Sequence, residues 1–389
     1  MLYCKKCLLP DTKPTTQVET KKKSAEAATT IKFIDGVCEA CRWNEIKEND
    51  IDWAKRGSEL ELLTAKHRKE THEYDVVVPA SGGKDSCYVS HLLKAEYGMN
   101  PLTVTWAPNL WTEIGRKNLD NLIASGFSNF LITPDGAVHK KLTKLALKKL
   151  GHPFQPFIVG QRVVGTKIAK QLGINLVFYG ENVAEYGNPL EENYNPIMDP
   201  SLYTCFDLDN PTTKLSGYNI AELESSYNIS KRDLTAYQSL KLSEVQSSNI
   251  EVHYMSYYRK WIPQENYYYA KRNTKFQANF SRVKGSYSKY AGIDDKMEWL
   301  HFHLMNMKFG VSRALLDASQ EIRTGKITKE EGVFLSQKYD QEFPDEFLPS
   351  FLEYFEMSEP EFFSILDSFR APHIWEKHGN TWKRRFKIS

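Results

Sequence analysis

The chain lacks an apolar run long enough to cross a bilayer, which takes about 20 consecutive residues. Its charged start, "MLYCKKCLLP", is not followed by an apolar h-region. A secretory signal needs one, so the expected location is the cytoplasm, with no membrane insertion. Charge of one sign is also missing: 51 Lys and Arg face 49 Asp and Glu, a net charge of +2. Nucleic-acid binders usually carry a clear basic excess, so nucleic acid is not an expected partner. No internal repeat or low-complexity tract is present. Cysteine is scarce, six in 389 residues, and a disulfide framework would suit a small secreted chain rather than this one. At this length two or three domains are expected, and the apolar share of 41% is ordinary for a globular protein.

Four of the six cysteines form two C-x-x-C knuckles, Cys4/Cys7 and Cys38/Cys41, thirty residues apart. That is the spacing of a tetrahedral four-thiolate zinc site. Between the knuckles, "PTTQVETKKKSAEAATTIKFIDG" is too polar to build a core, and zinc binding would supply the folding free energy that burial cannot. Four thiolates leave no open position, so the zinc is expected to be structural; an iron–sulfur cluster is the alternative.

From about 72 to 187 strand-like runs alternate with helical ones. "YDVVVPA", "LTVTW", "NFLIT" and "INLVFYG" read as strands, and "IEVHYMSYY" (250–258) as a fifth returning to the sheet. The expected fold class is α/β, a parallel doubly wound sheet, with an N-terminal Cys4 zinc knuckle unit and a C-terminal helical region. The expected division is 1–50, 51–270 and 271–389, with an irregular insertion at about 188–248 that serves as a lid or binding segment or is disordered. Thr328 with Glu331, and Ser358 with Glu361, are capping pairs that start C-terminal helices.

Directly after the first strand stands "SGGKDS", Ser81, Gly82, Gly83, Lys84, Asp85 and Ser86. A strand-to-helix loop offers unpaired N–H groups and the positive end of a helix dipole to an anion. The glycines admit a phosphate closely, the serines add donors, and Lys84 adds charge from an exposed loop position. Asp85 would repel a phosphate, so it faces a metal ion or caps the helix. The spacing is not that of a Walker A loop. It resembles the loop of the PP-loop ATPases, and that resemblance implies ATP, release of pyrophosphate and adenylation of a carbonyl or amide oxygen. It also places adenine near Val104, Thr105 and Trp106, although Trp106 fits a core aromatic equally well.

"YGENVAEYG" (179–187) begins where the fourth strand ends, on the same sheet edge. Glu181, Asn182 and Glu185 are candidates for magnesium or substrate, with Gly180 and Asn182 also expected against the nucleotide; the alternative is a helix start capped by Asn182 with solvated acids. His301 and His303 read as core or surface histidines. Arg282 and Lys284, in "FSRVKGSYSKYAGIDDK" (280–296), would suit an anionic sugar nucleotide, and "WKRRFK" at the end reads as a solvated tail.

The knuckles, SGGKDS, "GEN…EYG" and "GSYSKYAGIDDKMEWLHFHLMNMKFG", in that order, resemble the N-acetyl sugar amidotransferases of bacterial surface-polysaccharide and nonulosonic-acid biosynthesis. The resemblance covers most of the chain and is weakest across 188–248. It implies that an N-acetylated sugar is activated by ATP as an O-adenylyl imidate and attacked by ammonia to give an acetamidino group. Lys84, Asp85 and Glu181 would be catalytic. Position 2 is Leu2, and neither Cys87 nor Cys205 has the flanking glycines of a nucleophile elbow. A separate glutaminase is therefore expected, and the resemblance implies glutaminase and cyclase-like ammonia-channelling subunits as partners, with ATP, Mg2+ and structural Zn2+ as cofactors. The alternative is a PP-loop tRNA thiolation enzyme, which typically carries further catalytic cysteines; a non-catalytic zinc-held module is a third reading, disfavoured by the intact loop.

Overall fold

The computed structural model describes residues 1–15, 30–187, 190–379 and 381–389. The chain opens with a short hairpin, β1 (Phe33–Ile34) and β2 (Val37–Cys38), followed by helices α1 (Glu39–Asn49) and α2 (Trp53–His67). A parallel unit follows: β3 (Val76–Pro79), α3 (Lys84–Ala95), β4 (Pro101–Trp106), α4 (Glu113–Ala124), β5 (Ser128–Ile132), α5 (Gly136–Leu150), α6 (Gln155–Gln171) and β6 (Leu176–Tyr179). After hairpin β7 (Lys214–Leu215) and β8 (Tyr218–Asn219) come α7 (Ile220–Tyr227), α8 (Leu242–Ser247) and β9 (Glu251–Tyr254). The five-stranded sheet has the order β5-β4-β3-β6-β9, with all neighbours parallel.

Side-chain alternation explains how both faces of the sheet are covered. Val76 and Val78 pack with Leu92, Leu176, Phe178 and Trp261, whereas Val77 packs with Leu102, Val104 and Trp106 on the α5/α6 side. Each buried Val contributes about 1.5–3 kcal/mol relative to exposure, so a four-residue strand is held mainly from its two faces.

The reading of 250–258 as one strand is corrected. β9 ends at Tyr254, and α9 (Met255–Tyr258) turns the chain, with Ser256 N–H donating to Gly180 O at 3.0 Å. A short apolar run cannot separate strand from helix by periodicity. The irregular insertion is corrected as well. Apart from residues 188–189, which lie outside the described residues, 190–248 forms short helices and a hairpin. Its Tyr203, Phe206, Leu215, Leu223 and Tyr237 complete the core beside α6.

Beyond the sheet run α10 (Pro263–Asn273), α11 (Lys296–Phe309), α12 (Arg313–Arg323), α13 (Lys329–Tyr339), α14 (Leu348–Phe355) and α15 (Glu359–Asp367), then hairpin β10 (Trp375–His378) and β11 (Thr381–Arg384). The expected boundary at 270/271 falls inside α10. Thr328 and Glu331 form the reciprocal capping box; Ser358 accepts from Glu361 N–H, while the Glu361 carboxylate pairs with Lys148 at 3.2 Å. The reading of the C-terminal basic run as a solvated tail is corrected. Arg384 reaches inward to buried Asp340 at 2.7 Å and donates to Asn306 Oδ1 at 2.6 Å. No described helix is long and apolar enough to cross a membrane.

The N-terminal knuckles do not stand apart from the rest. Cys4, Cys7, Cys38 and Cys41 share a core with Leu8, Ile31, Leu315, Ala318 and Ile388, so α12 and the chain's end close over them. Leu8 N–H donates to Ser319 Oγ at 3.3 Å, and Thr12 Oγ1 to Phe309 O at 2.7 Å. Residues 16–29 of the polar segment between the knuckles lie outside the described residues.

Candidate nucleotide and substrate site

Strand order reverses between β3 and β6, and ligands of open α/β sheets bind at the carboxyl ends of strands flanking such a point. The loop after β3 is Ala80–Gly83 and leads into the N-terminus of α3. Gly82 has φ +85°, and a Cβ there would lie 2.6 Å from the Leu119 backbone nitrogen of α4. Only glycine fits. Gly83 caps α3 with φ −68°, leaving the first N–H groups of a twelve-residue helix pointing into the crevice. Ser86 Oγ donates to Gly83 O at 3.0 Å and fixes the first turn.

Lys84 is 8% exposed, which corrects the expectation of an exposed loop cation. Its ammonium pairs with the Asp85 carboxylate, which also accepts from Asn266 Nδ2 at 3.1 Å. Asp85 does not cap α3 with its side chain. Across the switch point, Glu181 accepts from Tyr186 OH at 2.8 Å. Burial raises the Glu181 carboxyl above its usual range, the neighbouring Asp85 charge adds to this, and Lys84 opposes it. Two carboxyls and one ammonium therefore meet at the strand ends, a donor set that fits a hard divalent cation beside phosphate oxygens.

Ser81 to Ser86, Gly180 and Glu181 all line a cavity of about 570 Å³. Its opposite wall comes from the C-terminal region through Tyr290, Asp294, Glu298, Arg313, Asp317 and Glu321. Arg313 bridges Glu298 at 3.2 Å and Asp317 at 3.0 Å, and Tyr287 OH donates to Glu321 at 2.9 Å. Burial pushes Glu298 up to about 7, against the pull of Arg313. Asp295 docks this wall on the sheet unit: besides capping α11, it accepts from Leu110 N–H at 3.0 Å and Asn109 N–H at 2.6 Å.

Several residues singled out from sequence lie elsewhere. Trp106 is 3% exposed and packs in the core against Gly160, His139 and Tyr237, so it is not among the cavity-lining residues. Asn182 is buried behind the loop, its N–H donating to Ser256 Oγ at 2.8 Å. Glu185 turns away from the cavity into a buried pair with Lys47 at 2.6 Å. Arg282 and Lys284 are paired outward with Glu342 and Asp345, both at 2.6 Å. His301 lines the cavity, stacked on His152, while His303 is half-buried against Phe343 and desolvation lowers its pKa to about 4. The carboxylate–arginine wall was not foreseen. Its one sequence signal is the acid pair in "GIDDK", since Glu298, Arg313 and Asp317 converge only through the packing of α11 on α12.

The four cysteine sulfurs lie within 4.8 Å of one another, with Cys7–Cys38 at 3.6 Å and Cys4–Cys41 at 3.8 Å. Thiolates at about 2.3 Å from a tetrahedral zinc stand about 3.8 Å apart, so the residues fit that ion. Backbone N–H groups of Cys38, Lys6 and Leu9 donate to the sulfurs, as expected around thiolate ligands. The ion would be structural.

Fold and site define a class: a parallel α/β protein whose anion-type loop and acidic strand-end loop share one cavity with a C-terminal wall. Residues 279–388, which include that wall, match the family model described as LPS biosynthesis protein WbpG-like, C-terminal domain. The matched stretch holds the cavity's C-terminal wall, and the Ser81–Ser86 loop lies outside it. No curated protein matches the chain. A solved structure of NMN synthetase from Francisella tularensis is similar at 13% identity over 74% of this chain and 94% of that one. The TM-score of that superposition is 0.31.

Proposed function

We propose that the protein is an ATP-dependent amidotransferase that converts an N-acetyl group of a sugar nucleotide or nonulosonic acid to an acetamidino group in lipopolysaccharide biosynthesis. One observation carries the reading: the Ser81–Ser86 loop and a wall matching an LPS-biosynthesis domain face each other across a single cavity. The loop N–H groups and Lys84 would hold the phosphates and stabilise charge on the departing pyrophosphate. Asp85 and Glu181 would hold Mg2+, which supplies neutralisation of the phosphate charge when bound.

The N-acetyl oxygen attacks the α-phosphorus and pyrophosphate leaves. Ammonia then adds to the imidate carbon and AMP departs with the original carbonyl oxygen. The hydroxyl-rich substrate would lie against the carboxylates of α11 and α12. Ammonia would come from a partner glutaminase through a cyclase-like subunit, because Cys87 is a poor nucleophile: it is 1% exposed, and burial pushes its thiol up to about 12. The same inert thiol disfavours tRNA thiolation. The test is incubation with ATP, ammonium and a panel of N-acetylated sugar nucleotides and nonulosonic acids. AMP formed together with a product in which NH replaces O supports the reading; ATP consumption without a new amidine would overturn it.

A further inference from the structure

We infer that Glu185 is a positioning residue that ties the four-cysteine knuckle to the Glu181 loop, so that metal occupancy and nucleotide binding are coupled. The inference rests on the nucleotide-site reading above.

The connection is a chain of buried contacts. Helix α1 starts at the second knuckle and carries Cys41, Trp43 and Lys47. Trp43 Nε1 donates to Glu185 Oε1 at 2.8 Å, and Lys47 Nζ donates to Glu185 Oε2 at 2.6 Å, with both charged side chains under a tenth exposed. A second arm comes from the far side. Arg323, the last residue of α12, donates through Nη2 to Glu185 O at 3.2 Å and through Nη1 to Cys7 Sγ at 3.8 Å. The Glu185 side chain and carbonyl are thus held by elements that the thiolates organise.

Glu185 lies four residues beyond Glu181, in the 3-10 helix Val183–Tyr186, and its N–H donates to Asn182 O at 3.1 Å. Tyr186, the next residue, holds the Glu181 carboxylate at 2.8 Å inside the cavity. Metal, α1, Glu185, Tyr186 and Glu181 therefore form one continuous path. If the knuckle loosens, the buried Lys47–Glu185 pair loses its frame, and the carboxylate facing Lys84 and Asp85 loses its position. The coupling is reciprocal by linkage: ligand at the loop must stabilise metal at the knuckle. Arg313 and Asp317, which stand in the cavity wall, lie on the same helix as Arg323, so α12 adds a second path.

The measurement is zinc release from the wild-type chain to a chromogenic chelator, with and without magnesium and a non-hydrolysable ATP analogue. Release should slow by about fivefold or more when nucleotide is bound. In Glu185→Gln the chain should still hold about one zinc, yet the nucleotide effect should fall below about twofold. Nucleotide that binds by calorimetry but leaves release unchanged would overturn the coupling, as would full protection in a zinc-loaded Glu185→Gln chain. Absence of nucleotide binding would instead defeat the nucleotide-site reading. The brace is then judged by hydrogen exchange alone. Chelation of the nucleotide-free chain, or Lys47→Met with zinc retained, should speed exchange in 181–187 but not in 81–86; unchanged exchange in 181–187 would contradict the brace.

Discussion

Lys84 and Asp85 were legible as a pair in sequence, but not their mutual neutralisation under partial burial, which depends on Asn266 arriving from α10. Lys84→Met should lower AMP formation by at least about 100-fold, because a donor aimed at developing phosphate charge is worth several kcal/mol in a water-poor site. The fold should persist, since Asn266 still holds Asp85; wild-type turnover would remove Lys84 from the mechanism. Glu298 offers a pH test. Its folded pKa of about 7 exceeds the ordinary 4.5 through burial, reinforced by Asp294 and Asp317. The sign follows: the protonated form is favoured in the fold, so this contribution is present below the unfolded pKa and is lost as pH rises through about 7. Glu298→Gln should therefore gain in melting temperature relative to wild type between about pH 5 and pH 8. A difference that stays flat or moves the other way would contradict the burial assigned to Glu298.

Elements with a clear pattern were readable: β3, β4 and β6 as buried runs, with helical stretches between them. The 190–248 segment was not, because its apolar residues are scattered among Asn, Pro and Tyr and meet only by packing on α6. Two glycines separate fold from function at this scale. A Cβ on Gly160 of α6 would stand 2.1 Å from the Trp106 ring on β4. Gly160→Ala should cost about 1–3 kcal/mol in urea denaturation. A Cβ on Gly83 would meet only Ser81 Oγ, at 3.6 Å, so Gly83→Val should fold. It should nevertheless lose nucleotide binding by calorimetry, because the larger side chain fills the phosphate approach. Retained binding would show that phosphate does not sit on this loop.

For the whole molecule, the sequence located the cysteine cluster and the glycine-containing loop after β3 but could not show that they are joined. Glu185 is buried in a pair with Lys47, neither a magnesium or substrate ligand nor a solvated acid, and a loop acid has no period to reveal which way it turns. Burial of Cys87 bears on the ammonia source. The purified chain should turn over with high ammonium at raised pH but not with glutamine, and an added glutaminase pair should restore glutamine use. Glutamate released from glutamine by the chain alone would remove the need for that partner.

The central claim is activation of the N-acetyl oxygen by adenylation, and isotope transfer tests it most directly. Substrate carrying heavy oxygen in its N-acetyl carbonyl is turned over with ATP and ammonium, and the AMP, pyrophosphate and sugar product are weighed by mass spectrometry. The account predicts one heavy oxygen in AMP and none in pyrophosphate or in the amidine product. Heavy oxygen in the released pyrophosphate, or unlabelled AMP beside a product that keeps the label, would contradict it.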